Sequence, residues 1–247
     1  DINGKIFDPQ MGSFDLKNNN VKFIGDPQKR IEEDYLRIIR FIRFKLMYRS
    51  TVEPTISEVI KLNLNGIKKL SKERVLIELF KILEIKNFSN INKDVHLKDI
   101  FSLIFPEFLF IDRLDRFRKV YNYSEINKEI ILGVLLIDDK DNHEYFIHKY
   151  NVSNKIKESL SLFASNLKLL IDNKNFFDKD LEKNVYLNGK NHLILLNILN
   201  FASDRRYKLS NFLKNSKKIL ESKTHKFPID GKYLIENGMS EGLALGK

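Results

Sequence analysis

One segment, residues 25–40, constrains the fold most strongly, because a fixed turn leads directly into a helical pattern. Its Gly-Asp-Pro start predicts a helix that begins at Pro27, since proline fixes φ and is tolerated at the first helical position. Apolar residues then recur at helical spacing and predict a buried stripe: Tyr35, Ile38, Ile39, Ile42 and Leu46. The segment therefore predicts a helix that packs one face into a core.

The same segment carries acids and arginines that a helix brings close together. Glu33, Arg37 and Arg40 recur at i, i+4 and i+7 and share one face, and Asp34 lies three residues before Arg37. A carboxylate accepts a hydrogen bond from the amino group of cytosine or adenine, and an arginine donates to the neighbouring ring acceptor. Uracil and guanine place a carbonyl there instead. An Asp34–Arg37 pair is thus able to select C and A, although an ordinary surface ion pair explains the same spacing.

Several further motifs surround this pair in a fixed order. DPQMGSFDL occupies residues 8–16, VKFIGDP residues 21–27 and RIEEDYLR residues 30–37. Together they resemble the central motifs of the class II tRNA nucleotidyltransferases, which comprise the CCA-adding enzymes and bacterial poly(A) polymerases. Residues 70–83 resemble the neck helix of that family, and residues 227–246, with their spaced glycines, resemble its tail. The resemblance covers residues 1–85 well and 227–247 moderately, and the middle is recognisable only as helical.

The resemblance implies roles for individual residues. Asp34 and Arg37 match the family's nucleotide-templating pair, Glu33 matches the acid that steadies it, and Arg40 matches a position at the same pocket. Structural roles follow for the motif that links the catalytic head to the neck and for the start of the neck helix, at Asp8, Gly12, Asp15, Glu73 and Arg74. Ser71 is expected to cap that helix.

The sequence departs from the family at two positions and lacks several of its motifs. Gly12-Ser13 stands where Gly-Gly is usual, and Lys22 stands where arginine is typical. The Gly-rich turn, the two metal-binding aspartates and the Arg-Arg-Asp motif of the family's head are also missing, so the chain resembles a piece truncated at both ends. Residues 138–141 are rich in aspartate but are interpreted as a solvated helix end or a loop. We therefore predict no catalytic residue and no metal site in this chain, and we expect it not to catalyse alone.

The implied activity is the addition of C and A nucleotides to the 3′ end of tRNA from CTP and ATP, with Mg²⁺ bound by the missing head. The chain then supplies base selection and tRNA binding, and a separate chain could supply the head. Poly(A) addition to another RNA 3′ end is the sister interpretation, and Tyr35 after the two acids favours CCA addition weakly. A noncatalytic RNA-binding remnant, one half of a split enzyme, and an unrelated helical scaffold stay open.

Composition agrees with an RNA partner. The chain has 43 Lys and Arg against 33 Asp and Glu, a net charge of +10, which suits a polyanion. The weaker candidates for RNA contact are Arg205, Arg206, Lys208 and Lys232. The aromatic and basic residues at 101–123 are either an RNA-stacking surface or, as we favour, a core stripe. Cysteine is absent, and neither a signal peptide nor a run of 18 apolar residues is visible, so we expect a cytoplasmic protein without a membrane partner.

These patterns predict a mainly α fold, an elongated neck, body and tail of several helices with a small N-terminal β remnant of the head. The predicted segments are residues 1–24 (the β remnant), 25–86 (neck), 87–172 (body) and 173–247 (tail). Within the first segment, the Asn-Gly pair in residues 2–7 indicates a hairpin, and residues 21–24 indicate a strand. Pro54 and Gly66 are expected to bound the second helix of the neck, with a capping box at residues 55–58.

Overall fold

The structure is a computed structural model, which describes residue 4 and residues 6–86, 88–138, 140–224 and 231–238. Within these residues the fold is mainly α, as predicted, and it contains no strand. No helix in the described part of the chain is both long and apolar enough to cross a bilayer.

The helices follow one another through short connections. In chain order they are α1 (Gly12–Lys17), α2 (Pro27–Glu33), α3 (Leu36–Tyr48), α4 (Pro54–Asn63), α5 (Lys72–Leu83), α6 (Val95–Ile104), α7 (Leu114–Val120), α8 (Lys128–Leu136), α9 (Asn142–Tyr150), α10 (Asn154–Asp172), α11 (Leu181–Asn188), α12 (Lys190–Ser203), α13 (Leu209–Glu221) and α14 (Gly231–Glu236). Short 3₁₀ segments lie between them at Leu64–Lys69, Phe88–Lys93, Ile111–Arg113 and Tyr121–Tyr123.

The prediction of a β remnant is wrong for the described part of residues 1–24. Residues that were expected in short strands form α1, because the Asp8 carboxylate accepts hydrogen bonds from the amides of Gly12 and Ser13 at 2.6 and 2.7 Å. Residues 21–24 are neither helix nor strand. The ring of Phe23 stacks on Phe41 of α3, with the ring centroids 4.7 Å apart. The hairpin predicted at residues 2–7 falls largely outside the described residues.

The helix predicted to begin at Pro27 does begin there, but it is shorter than the sequence suggests. Asp26 caps it by accepting a hydrogen bond from the amide of Lys29 at 2.8 Å. It ends at Glu33, because Asp34 is extended with φ −156° and ψ 103°, and a new helix begins at Leu36. Glu33 therefore ends α2, Asp34 lies in the kink, and Arg37 and Arg40 belong to α3, so the four residues do not share one continuous face.

Two boundaries of the next helix also differ from prediction. Pro54 is the first residue of α4 and Glu53 its N-cap, so the expected capping box at residues 55–58 lies inside the helix. Gly66 does not end α4, which stops at Asn63; it lies within the 3₁₀ segment that leads to α5. The predicted cap of α5 is confirmed, because Ser71 Oγ accepts a hydrogen bond from the amide of Arg74 at 3.3 Å.

The core runs through the whole described bundle and settles the interpretation of residues 101–123. Phe101, Phe105 and Phe117 are almost completely buried, so this stripe is core, as favoured. Its arginines bind backbone carbonyl groups. Arg113 donates to the carbonyl oxygen of Ile137 at 2.6 Å, at the end of α8, and Arg116 performs the same role at the end of α12. These two guanidinium groups therefore hold helix ends, where C-terminal carbonyls lack partners.

Candidate functional site

The candidate site lies at the kink between α2 and α3, where Asp34 stands at the turning point. Its carboxylate accepts a hydrogen bond from the amide of Leu36 at 3.1 Å, and its carbonyl accepts one from the amide of Arg37 at 3.0 Å. The side chain keeps 28% of its surface exposed. These local bonds hold the carboxylate at the start of α3 while the side chain stays partly exposed.

Asp34 pairs with Arg74 of α5 rather than with Arg37. The Nη2 atom of Arg74 lies 3.3 and 3.4 Å from the two carboxylate oxygens. Arg74 therefore contacts the candidate site directly, while Glu73 lies exposed in the first turn of α5. The i, i+3 spacing predicted an Asp34–Arg37 contact, and the kink removes it because the two residues do not share a continuous helix.

Glu33 takes the place of Asp34 as the partner of Arg37. The Nη1 atom of Arg37 lies 2.5 Å from Glu33 Oε2, and the same atom donates to the carbonyl oxygen of Arg30 at 2.5 Å. Arg30 approaches the same carboxylate oxygen at 2.6 Å. The hydrogen bond from Arg37 lowers the pKa of the Glu33 carboxyl below its usual value. Glu33 is thus ionised at neutral pH and fixes the direction of the Arg37 guanidinium across the kink.

Arg40, one turn further along α3, contacts a buried acid that sequence analysis missed. Its Nε atom lies 3.5 Å from Oε1 of Glu78 on α5, and Arg43 Nε lies 3.0 Å from Oε2. Lys81 donates to Oε1 at 3.0 Å. Burial opposes ionisation of Glu78, but the hydrogen bond from Lys81 and the nearby arginines outweigh it and lower the pKa of the carboxyl. We call Glu78, Arg40, Arg43 and Lys81 the Glu78 cluster.

The residues assigned to the linking motif lie at α1 and next to it. Asp8 caps α1, and those backbone hydrogen bonds lower the pKa of its carboxyl. Asp15 binds Lys22, whose ammonium group lies 2.8 Å away and lowers the pKa of the Asp15 carboxyl. Gly12 presents its amide to Asp8, and the position of its absent Cβ is 3.4 Å from the Asp8 carboxylate. The contacts of these three residues therefore fold the segment before α2.

The basic candidates for RNA contact lie elsewhere in the chain, in the loop between α12 and α13. Arg205, Arg206 and Lys208 are exposed, and Arg206 contacts the carboxylate of Asp204 at 3.2 Å. Lys232 lies in α14, but its side chain is outside the described part of the structure.

Buried polar contacts hold this loop in place. The guanidinium of Arg116 donates to the carbonyl oxygens of Phe201, Asp204 and Tyr207 at 2.7, 3.1 and 2.6 Å. The hydroxyl of Tyr207 donates to Asn197 Oδ1 at 2.9 Å, and burial raises the pKa of Tyr207 to about 12. These contacts therefore fix the backbone of the loop, while the side chains of Arg205, Arg206 and Lys208 stay exposed.

The described residues do not fit a metal ion. No group of three or more His, Asp or Glu side chains within them is close enough to hold one. In the aspartate-rich segment, Asp138 accepts hydrogen bonds from the amides of Lys140 and Asn142 and so caps the start of α9. Asp139 lies outside the described residues. The Mg²⁺ implied by the family resemblance therefore finds no ligand set in the described part.

Comparisons with known proteins bear directly on this arrangement. A CCA-adding enzyme of Lactobacillus helveticus is 27% identical over the whole chain, which covers 61% of that relative. The human mitochondrial CCA tRNA nucleotidyltransferase 1 is 40% identical over 102 residues, 39% of this chain and 22% of that protein. The chain is thus similar to CCA-adding enzymes over its whole length. No protein-family model matches the chain.

Solved structures of CCA-adding enzymes share the fold. A Thermotoga maritima CCA-adding enzyme complexed with tRNA superposes with a TM-score of 0.61 at 21% identity, over 95% of this chain and 59% of that one. A CCA-adding enzyme in complex with ATP gives a TM-score of 0.57 at 21% identity, over 89% and 55%. The chain spans about three-fifths or less of the length of the first curated relatives that it matches.

Proposed function

We propose that this chain supplies base selection and tRNA binding to a CCA-adding nucleotidyltransferase, which extends the tRNA 3′ end with CTP and ATP. The observation that carries the proposal is the kink, where a backbone hydrogen bond of 3.0 Å joins Arg37 to Asp34 and each side chain is oriented by a different charged partner. The pair of groups matches the hydrogen-bonding edge of cytosine and of adenine, with an acceptor for the amino group and a donor for the ring nitrogen.

Arg37 is suited to this task because its direction is already set. One nitrogen is occupied by Glu33 and by the carbonyl of Arg30, and the guanidinium carries five N–H donors in a rigid plane. The other N–H donors of Arg37 can therefore bind a base while the side chain keeps the rotamer that Glu33 fixes. Arg40 is directed by Glu78 in the same way and extends the positive charge along α3.

Binding of tRNA is supported by charge and by one relative. The net charge of +10 favours a phosphate backbone, and a solved structure of similar fold is a CCA-adding enzyme complexed with tRNA. Arg205, Arg206 and Lys208 sit on a loop held by buried hydrogen bonds, so they meet a phosphate without first ordering the chain.

The nucleotidyl transfer itself needs a catalytic head, in this chain's protein or on a second chain. Mg²⁺ bound by that head would supply the charge stabilisation that the transfer needs. The residues described here bind the base and the RNA and contribute no ligand to that ion.

The test combines this chain with a separately produced catalytic head from a CCA-adding enzyme, Mg²⁺, CTP, ATP and a tRNA that lacks its 3′ CCA. We expect ordered addition of C, C and A, which neither component performs alone. A matched reaction with Asp34→Ala in the chain should admit UTP and GTP.

Other outcomes identify the alternatives. Addition of A residues only would favour a poly(A) polymerase. Intact tRNA binding without extension would favour a noncatalytic RNA-binding module. Extension by the chain without a head would show that the expectation of an inactive chain is wrong.

A further inference from the structure

The ring of Tyr35 packs directly on the backbone of Gly66. A Cβ atom at position 66 would lie 2.1 Å from both Cδ1 and Cε1 of Tyr35 and 2.4 Å from its Cγ. Carbon atoms in contact prefer roughly 3.5–4 Å, so no side chain fits at position 66 while the ring is there. The φ angle of Gly66 is not in the left-handed region, so it is this close approach that requires glycine.

This contact joins the two elements that bring Asp34 and Arg74 together. Tyr35 immediately follows Asp34 in the kink, and Gly66 lies in the 3₁₀ segment Leu64–Lys69, which precedes α5 and its Arg74. Lys69 of the same segment places its ammonium group 5.9 Å from the centroid of the Tyr35 ring. The ring is therefore held between a cation and a bare backbone on one segment.

We infer that Tyr35 and Gly66 are positioning residues for base selection, because their contact fixes the direction of the Asp34 carboxylate. This inference rests on the proposed function. Moving the ring away from a new Cβ requires a shift of more than about 1 Å. The shift is passed through one peptide unit to Asp34, whose carboxylate then loses the hydrogen bond from the Leu36 amide and the contact with Arg74 that direct it. Small misplacements of a positioned group can lower the activity of a site by a large factor.

The experiment measures binding of CTP, ATP, UTP and GTP to the isotopically labelled full chain by NMR titration, followed at the Leu36 amide. We expect the wild type to prefer CTP and ATP, and Asp34→Ala to abolish that preference. Gly66→Ala and Tyr35→Ala should each reduce it at least about fivefold, whereas Tyr35→Phe, which keeps the ring carbons, should retain it. The double variant should be no worse than the worse single variant, because both changes remove one contact.

Gly133→Ala is the matched control. Its Cβ would meet the side chains of Ile137, Phe163 and Leu199 at 3.5, 3.8 and 3.9 Å, which are ordinary contacts, so the preference should be unchanged. Circular dichroism checks that every variant is folded, and Tyr35→Ala, which creates no overlap, serves if Gly66→Ala does not fold.

The two proposals fail in different ways. If Asp34→Ala removes the preference but Tyr35→Ala and every folded Gly66 variant keep it, the positioning role is wrong and base selection stands. If the wild type itself has no preference, or Asp34→Ala keeps it, base selection is wrong and the positioning role falls with it.

Discussion

Replacement of Glu78 by glutamine should destabilise the protein more than any comparable change on the surface of the same helix. The Glu78 side chain is 3% exposed, and its two oxygens contact Arg43 and Lys81 at 3.0 Å and Arg40 at 3.5 Å. Glutamine keeps the shape but removes the charge that these cations share. The arginines of α3 then repel one another beside a neutral amide on α5.

The magnitude follows from the exposure of the partners. Loss of one partner from a fully buried ion pair costs roughly 3–5 kcal/mol, and an exposed pair contributes about 0.2–1 kcal/mol. The carboxylate is buried, but the side chains of Arg40 and Lys81 are 45% and 49% exposed, so water relieves part of the penalty. We expect a loss of about 2–3 kcal/mol in the free energy of unfolding, or about 4–12 °C in Tm for a chain of this size.

Urea unfolding followed by circular dichroism tests this value against a matched control. Glu84→Gln changes an acid that follows α5, 60% exposed and 3.8 Å from Lys128, and should cost less than about 0.5 kcal/mol. Because the folded-state pKa of Glu78 is lowered, its contribution is present above the ordinary value of 4.5 and is lost as pH falls through the folded-state pKa. The difference between wild type and Glu78→Gln should therefore shrink in acid. Equal stability of the wild type and Glu78→Gln at neutral pH would refute the reasoning.

Other expected outcomes concern selection, RNA binding and the body. In the reaction with a separate head, Asp34→Ala and Arg37→Ala should each reduce C/A discrimination about 5- to 150-fold, which corresponds to about 1–3 kcal/mol. The affinity for tRNA should change little. An equal loss of discrimination and of tRNA affinity would oppose the templating role. The affinity for tRNA should fall steeply with salt, and Arg205→Ala should lower the logarithmic slope by about 1; an unchanged slope would remove Arg205 from the interface. Arg116→Ala should lower the free energy of unfolding by about 2–3 kcal/mol in urea titrations, because three carbonyl groups lose a charged donor.

Short sequence motifs were sufficient to predict those helix ends that depend only on residues adjacent in the sequence. The start of α2 at Pro27 and the cap of α5 at Ser71 follow from short motifs and are confirmed. The kink at Asp34 was not predictable from its own segment, because the helical pattern continues through it without a break. The Tyr35 ring at the kink packs on Gly66, which is distant in sequence and was interpreted as a helix end.

A signal for the Glu78 cluster was present but was not used. Glu78 falls on the face of α5 that contains Val75, Leu79 and Ile82, so an acid stands within an apolar stripe. An acid in such a position needs a cation, and Arg40 and Arg43 of α3 repeat at i, i+3. Their pairing still depends on how α3 and α5 pack, which the sequence alone did not provide. The templating role of Asp34 and Arg37, and the division into neck, body and tail, stay predictions.

If Asp34 reads the base, as proposed, its contact with Arg74 makes base recognition an exchange of partners. A nucleotide that binds Asp34 has to displace Arg74. The apparent affinity of the nucleotide therefore falls in proportion to the fraction of molecules in which the carboxylate is free of Arg74. Cytosine or adenine offers an amino group in return, but uracil and guanine offer a carbonyl. The internal ion pair thus weakens the binding of every nucleotide while making the wrong bases compete against a better partner.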